Sequence, residues 1–331
     1  MKYSNQIFAG ILTIGLMAGT GVSTANLFAA DQETPQNTPV VAQRSFLSPD
    51  EAIKALRAAA NSKDNAALLA IFGNEFPKLL TGDRVQDANN AQKFANDMNE
   101  CCIAVKSGED KIMLEVGTNN WPLPIPLVKT NGQWHFDTAS GKEEIINRHI
   151  GEAELHAISV CRAYVTAQKQ YADMIPKVGG GANYAQQFKS TPGKKDGLYW
   201  ESAAGEPGSP FGPMVAEAHA DGYGNNTGVG SHPFHGYDFR ILTAQGKDAP
   251  DGKLDYLSEG VLAGGFALVA YPEHWGQSGI MSFIANQDGK VYQQNLGPET
   301  AQTGSVMKEY NPDKKWTLVE DVGVTSAVTE R

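Results

Sequence analysis

Histidine and aspartate side chains are concentrated in one short stretch of the second half of the sequence. The stretch contains His219, Asp221, His232, His235 and Asp238. Neutral imidazoles and a carboxylate can bind a transition metal, and a second aspartate can fix the tautomer of a histidine ligand. We therefore treat His219, His232, His235 and Asp238 as candidate metal ligands, which could serve a periplasmic metal-dependent hydrolase or a metal-binding protein.

The same residue types are also common in turns and at protein surfaces. Pro233 and Gly236 flank His235 and indicate a loop or the start of a strand, so helical spacing cannot bring two histidine rings together here. A pocket that joins the histidines to Glu217 or Asp255 would favour the hydrolase. Scattered, exposed side chains would favour turn and surface roles.

Motifs of common enzyme classes are absent or incomplete. The zinc-protease HExxH, the P-loop, the Rossmann GxGxxG and the GxSxG nucleophile elbow do not occur. Ser305 and Lys308 fit an SxxK pattern, but the SDN and KTG motifs of that class are missing. The sequence therefore predicts no catalytic residue and no cofactor.

Aromatic side chains among glycines and prolines are the second group of candidate functional residues. They are Tyr199, Trp200, Phe211, Tyr223 and Trp275. Rigid aromatic contacts on exposed loops often bind a protein partner, but such residues also cap a core beneath long loops. In the first role they would belong to a non-enzymatic binding or assembly module with an envelope protein as its partner.

The N-terminus and the overall charge predict where the protein works. Lys2 precedes an apolar stretch, residues 7–19, that is short for a membrane span, and small residues follow. Residues 1–30 are therefore predicted to be a signal peptide, cleaved after Ala25 or Ala30, with a retained anchor as the alternative. The formal charge of −10 argues against nucleic-acid binding. We expect a periplasmic or otherwise exported protein with no membrane span after cleavage.

Three cysteines leave two alternatives open in such a compartment. Cys161 could form a disulfide with Cys101 or with Cys102, whereas a bond between the two adjacent cysteines would be strained. Alternatively, all three could stay reduced and pack as small hydrophobic residues.

The periodicity of apolar residues predicts an α+β fold in two domains behind a linker. The predicted divisions are a disordered linker at 31–43, a small domain at 44–143, a second domain at 144–318 and a flexible tail at 319–331. In the first domain, helices near 49–60, 65–72 and 86–99 precede strands at 103–106, 111–116, 123–129 and 133–137. Three prolines between 122 and 126 mean that one strand must lie at an edge or begin at a bulge.

The second domain is predicted to begin with a long helix, residues 144–172, whose apolar stripe would cover a sheet. A short helix at 214–220 follows. Strands are predicted at 236–244, 261–271, 279–286 and 290–295.

The helix-then-sheet order of the first domain resembles the cystatin-like and NTF2-like modules. Longer motifs resemble a different family along most of the chain: WPLPIPLVK, ELHAISVCRAYVTAQKQYA, STPGKKDGLYW, HGYDFRILTAQG and GGFALVAYP. From about Phe46 to Trp316 they are similar to DUF2950, an uncharacterised family of exported bacterial proteins. That resemblance implies export and supplies no activity.

The second domain also resembles the headgroup of type IV pilins and pseudopilins. The order ELHAISVCRAYVTAQKQYA, GYDFRIL, GGFALVAYP and SGIMSFIANQDGKVY carries the resemblance. A pilin needs a prepilin cleavage site followed at once by a long apolar helix, and residues 1–31 have an ordinary signal peptide pattern instead. The resemblance therefore implies a pilin-like fold without the part that polymerises.

Overall fold

Helices and mostly antiparallel sheets make up the chain, which confirms the predicted α+β class. The computed structural model describes residues 42–175, 182–203, 205–224 and 233–320. All of them belong to one unit of the chain, Val40–Arg331. The predicted signal peptide, most of the linker and most of the tail lie outside the described residues.

Three α-helices and a 3-10 helix open the described chain. They are α1 (Pro49–Ser62), α2 (Asn65–Phe72), the 3-10 helix (Gly73–Leu79) and α3 (Arg84–Glu100). Each α-helix begins directly after a side-chain cap, supplied by Ser48, Asp64 and Asp83 in turn. Because these oxygens accept from N–H groups that a helix leaves unpaired, local sequence determines where the helices begin.

A four-stranded antiparallel sheet follows, in the order β1 (Cys102–Lys106), β2 (Lys111–Val116), β3 (Trp121–Thr130) and β4 (Gln133–Phe136). The proline-rich strand is β3, which is central rather than at an edge. Its pairing with β2 slips, because Leu114 faces Leu123 whereas Ile112 faces Leu127. Pro124 and Pro126 lie in this irregular region, so the irregularity that the prolines predict is present, but inside β3 rather than at its start.

The long helix α4 (Thr138–Met174) has 37 residues and contacts both main sheets. It begins at Thr138 rather than at the predicted 144, because Asp137 caps it. Its first turns pack on β3 and its later turns on the second sheet. Since α4 runs across the predicted boundary between residues 143 and 144, it belongs to both proposed domains, and the division itself stays a prediction.

The second half of the chain contains short and long strands. Its elements are α5 (Gly212–Ala220), β5 (Tyr237–Leu242), β6 (Ala244–Gln245), β7 (Leu254–Asp255), β8 (Leu257–Ser258), β9 (Val261–Leu262), β10 (Ala267–Pro272), β11 (Met281–Asn286), β12 (Val291–Asn295), α6 (Thr300–Val306), β13 (Glu309–Tyr310) and β14 (Thr317–Leu318). An antiparallel sheet has the order β14-β12-β11-β10-β5. Beside it lie the three-stranded sheet β13-β6-β7 and the hairpin β8-β9.

One predicted strand, 261–271, is wrong in its continuity. It is divided into β9 and β10 at Gly264 and Gly265. Gly265 has φ of +152°, and a Cβ there would lie 2.7 Å from the Tyr256 ring. The glycine pair therefore lets the chain turn tightly around that ring.

Three groups of buried side chains hold the fold together. All six residues of β10 are buried, because both faces of this strand are covered. Leu268 and Ala270 belong to the core on the α4 side. Ala267 and Val269 belong to a second core, which also contains Tyr310 of β13. A separate core lies between the first sheet and α1 to α3. Within the described ranges, no helix combines the length and the apolar character that a membrane crossing requires.

Candidate functional site

The candidate metal ligands occupy different elements. His219 is exposed in the last turn of α5, Asp238 lies on β5 opposite Tyr271, and His235 is buried just before β5. His232 lies outside the described residues. Among the residues that the structure describes, no group of three or more His, Cys, Asp or Glu side chains is arranged to hold a metal ion. The described part of the chain therefore does not support the metal site.

The structure does bring His235 and Asp221 together, in a polar group that we call the histidine cluster: His156, His235, Asp221, Tyr223 and Asp83. The rings of His235 and His156 are stacked, with centroids 4.0 Å apart and an angle of 4° between planes. His235 Nε2 lies 3.3 Å from Asp221 Oδ2. That distance would make an ion pair only if His235 were protonated. The geometry is not that of a hydrogen bond, and both ring nitrogens are buried without one.

Asp83 links this cluster to the first helices. Its Oδ1 accepts from Val85 N and Gln86 N at the start of α3. Its Oδ2 accepts from Tyr223 Oη at 2.6 Å and from Gly236 N at 3.3 Å. One buried carboxylate therefore caps α3 and fixes the turn before β5.

The turn that carries His235 has two residues with positive φ, His235 at 48° and Gly236 at 74°. Phe234 and Tyr237 exchange backbone hydrogen bonds across it, as in a two-residue hairpin turn. The His235 N–H donates to Tyr223 Oη at 3.1 Å. A Cβ on Gly236 would lie 2.6 Å from Ser278 Cβ, so the turn requires glycine at this position.

Burial determines the protonation of the cluster. Burial, followed by the neighbouring His156, lowers the pKa of His235, while Asp221 and Asp83 act in the opposite direction. Burial and the hydrogen bond to Asp83 raise the pKa of Tyr223. At neutral pH the cluster therefore contains a neutral His235 and a protonated phenol.

We expect the free energy of unfolding to decrease as the pH falls below about 6.5. The lowered pKa means that folded His235 binds a proton less readily than the unfolded chain does. Its contribution is complete above the unfolded pKa and is lost as the pH falls from that value through the lower pKa of the folded state. The pKa of His149 on α4 is also lowered, chiefly by burial, and acts in the same direction.

The substitution His235→Asn tests this dependence, because asparagine tolerates positive φ. Denaturant unfolding at about pH 5 and about pH 7 should show a smaller pH dependence for the variant than for the natural chain. An unchanged pH dependence would contradict the assignment to His235.

The five candidate aromatic residues are not a common surface. Trp200, Phe211 and Tyr223 are buried in the core around α4, so their predicted exposure is wrong and the core-capping alternative describes them. Tyr199 is half-buried against the same core. Trp275 alone of the five is exposed, with its Nε1 donating to Asn295 Oδ1 at 2.9 Å.

The cysteines are free thiols, which corresponds to the alternative without a disulfide. Cys161 is completely buried on α4, and burial raises the pKa of its thiol to about 12. Cys102 packs against the core of the first sheet, and burial raises its pKa also. Both thiols are therefore protonated at neutral pH.

A cavity of about 340 Å³ lies beside the start of α4, lined in part by Gln43, Glu75, His135 and Asp137. Hydrogen bonds from Lys142 and then Lys78 lower the pKa of Glu75 to about 2. The Gln43 side chain donates to backbone oxygens of Ile71 and Phe136. Gln43, Glu75 and Asp137 thus already make hydrogen bonds within the fold.

A family model described as "Protein of unknown function (DUF2950)" matches residues 43–319. The chain belongs to this family. No curated protein and no solved structure matches it significantly. The likeness of this DUF2950 protein to pilin headgroups and to cystatin-like or NTF2-like modules stays a prediction.

Strand β1 provides the DUF2950 protein with an open sheet edge. It pairs with β2 only, within the described ranges, and four of its five residues are exposed. Ile103 and Val105 are 45% and 38% exposed. Natural sheets usually protect such edges with proline, bulges or several charges, and β1 has a lysine only at its end.

Sequence reasoning missed two members of the histidine cluster in this DUF2950 chain. Asp83 carries a local signal, since an aspartate directly before a helical run is a typical N-cap. The predicted helix begins at Gln86, three residues after Asp83, so the prediction does not include this cap. His156 carries no local signal, because its partner His235 is distant in the sequence and the pair exists only after α4 has packed.

Proposed function

We propose that this protein is exported to the bacterial cell envelope and acts there as a non-enzymatic binding or assembly module. The observation that carries the proposal is the open apolar edge of β1. An unpaired strand presents a row of backbone N–H and C=O groups, and a partner strand can add to them. Exposed Ile103 and Val105 beside this edge would supply apolar contact.

Export is supported by the sequence at the N-terminus. Lys2, the apolar stretch at 7–19 and the small residues up to Ala30 follow the order of a secretory signal. The acidic composition suits a protein that avoids nucleic acids.

Cell fractionation with sequencing of the processed N-terminus tests export. We expect a C-terminally tagged chain in the periplasmic or secreted fraction, beginning at Asn26 or Asp31. An intact N-terminus in a cytoplasmic protein would refute this part of the proposal.

Photocrosslinking in intact cells tests the binding role. A benzoylphenylalanine replacing Val105 should yield a discrete covalent adduct upon irradiation, because the side chain lies beside the open edge. Lys54, an exposed residue on α1, is the matched control position and should yield none. Equal adducts at both positions, or none at Val105, would overturn the assignment of the binding role to β1.

A further inference from the structure

We infer that a second copy of this chain occupies the open edge of β1, by antiparallel pairing with Ala104 on the two-fold axis. The inference rests on the proposed binding function of this edge and names its partner. A two-fold interface requires one surface that is complementary to itself. The backbone and the apolar side chains of β1 meet that requirement, and Lys106 meets it together with Glu100 of α3.

The backbone groups of β1 point in defined directions. Ser107 N donates to Lys111 O and Gly117 N donates to Cys101 O, so the Ser107 N–H and the Cys101 C=O point to the β2 side. Hydrogen-bonded and non-bonded pairs alternate in an antiparallel ladder. The N–H and C=O groups of residues 102, 104 and 106 therefore point away from β2, towards the open edge.

This spacing is symmetric about Ala104. If two copies pair with Ala104 opposite Ala104, then residue 102 of each copy faces residue 106 of the other. All three outward-facing residues then find a hydrogen-bonding residue in the second copy. All the backbone N–H and C=O groups on the open edge of β1 can thus form hydrogen bonds with β1 of a second copy.

The apolar side chains match in the same register. Ile103 of one copy faces Val105 of the other, and both project from the face of the sheet opposite to Cys102. Cross-strand pairs of β-branched residues stabilise a sheet. Pairing would cover the two exposed apolar side chains of each copy.

The charges are complementary in this register as well. Lys106 of one copy would lie close to the C-terminal end of α3 of the second copy, where Glu100 is the last residue, because the residue that faces Lys106, Cys102, follows that helix end by two positions. Both side chains are exposed. The last turn of α3 contains Glu100 and no basic residue. A lysine from the second copy would therefore also interact favourably with the negative end of that helix.

Sedimentation velocity of the purified, processed protein tests the inference. Five residues on each side make a small interface, so we expect a dimer that forms with a dissociation constant on the order of micromolar. Ala104→Pro removes an N–H that points to the second copy and leaves the β2 hydrogen bonds intact. This change should weaken the dimer by about ten-fold or more. Ala104→Ser keeps the N–H and should dimerise like the natural chain, and circular dichroism confirms that both variants are folded.

A charge exchange provides the second arm. Lys106→Glu and Glu100→Lys should each weaken the dimer by roughly two- to ten-fold, because each places like charges together twice in the dimer. The double variant restores opposite charges and should recover the natural affinity. Failure of the double variant to recover affinity would contradict the proposed register.

The outcomes separate this inference from the proposed function. If the protein stays monomeric and its Val105 position crosslinks to a different envelope protein, then the partner at β1 is not a second copy of this chain. The proposed binding role of β1 would remain. If Ala104→Pro does not weaken the dimer, then the dimer does not form through β1. A monomer without any specific crosslink at Val105 would overturn both.

Discussion

Replacing Asp83 with alanine is expected to lower the free energy of unfolding by about 3 kcal/mol. The carboxylate caps α3 and accepts hydrogen bonds from Tyr223 Oη and Gly236 N, 140 and 153 positions away. Loss of the cap alone costs about 1 kcal/mol. The buried Tyr223 hydroxyl would also lose its acceptor, which adds about 1–3 kcal/mol. Urea unfolding followed by circular dichroism measures the sum.

Asp64 is the matched control because its Oδ1 caps α2 in the same manner, by accepting from Ala66 N and Ala67 N. It has no such link to the second half of the chain among the hydrogen bonds of the described residues. Asp64→Ala should therefore cost only about 1 kcal/mol. If both variants lost the same stability, Asp83 would act as a helix cap only.

Tyr223→Phe isolates the long-range part of the Asp83 effect. It keeps the ring in the core and removes only the hydroxyl that joins Asp83 to His235 N. The destabilisation from Asp83→Ala and from Tyr223→Phe should not be additive, because both substitutions remove the same hydrogen bond.

Elements with a complete local signal could be predicted from the sequence. Helix α2 has the predicted bounds because Asp64 caps its start and Gly73 follows its end. Strand β2 alternates buried and less buried residues along its length. The hairpin between β3 and β4 follows from Asn131 and Gly132, which both have positive φ.

Features that depend on long-range packing could not be predicted in the same way. Loops rich in glycine and proline suggested exposure for Trp200, Phe211 and Tyr223. In the folded chain these loops lie over the apolar stripe of α4, so burial of that stripe also buries the aromatic residues. The stacked pair of His156 and His235 likewise depends on how α4 meets the turn before β5.

The crossing of α4 over β3 shows how two unusual sequence features depend on each other. The prolines of β3 create an irregular region in which Pro126 O accepts from Asp137 N, directly before α4. The helix then passes so close that a Cβ on Gly141 would lie 2.5 Å from Pro124 O and 2.6 Å from Ile125 N. The prolines fix the local φ angles, so this backbone cannot easily move away. Glycine at 141 is therefore a packing requirement.

Gly141→Ala is accordingly expected to destabilise the protein by roughly 2–3 kcal/mol, because the methyl group must displace a backbone rather than a flexible side chain. Gly151 is the matched control: it lies in the same helix, and a Cβ there would meet no atom within 4 Å. Gly151→Ala should stabilise the helix by about 0.5–1 kcal/mol. Denaturant unfolding of the two variants should thus give changes of opposite sign. Stabilisation by both substitutions would mean that α4 and β3 do not approach as closely as Gly141 indicates.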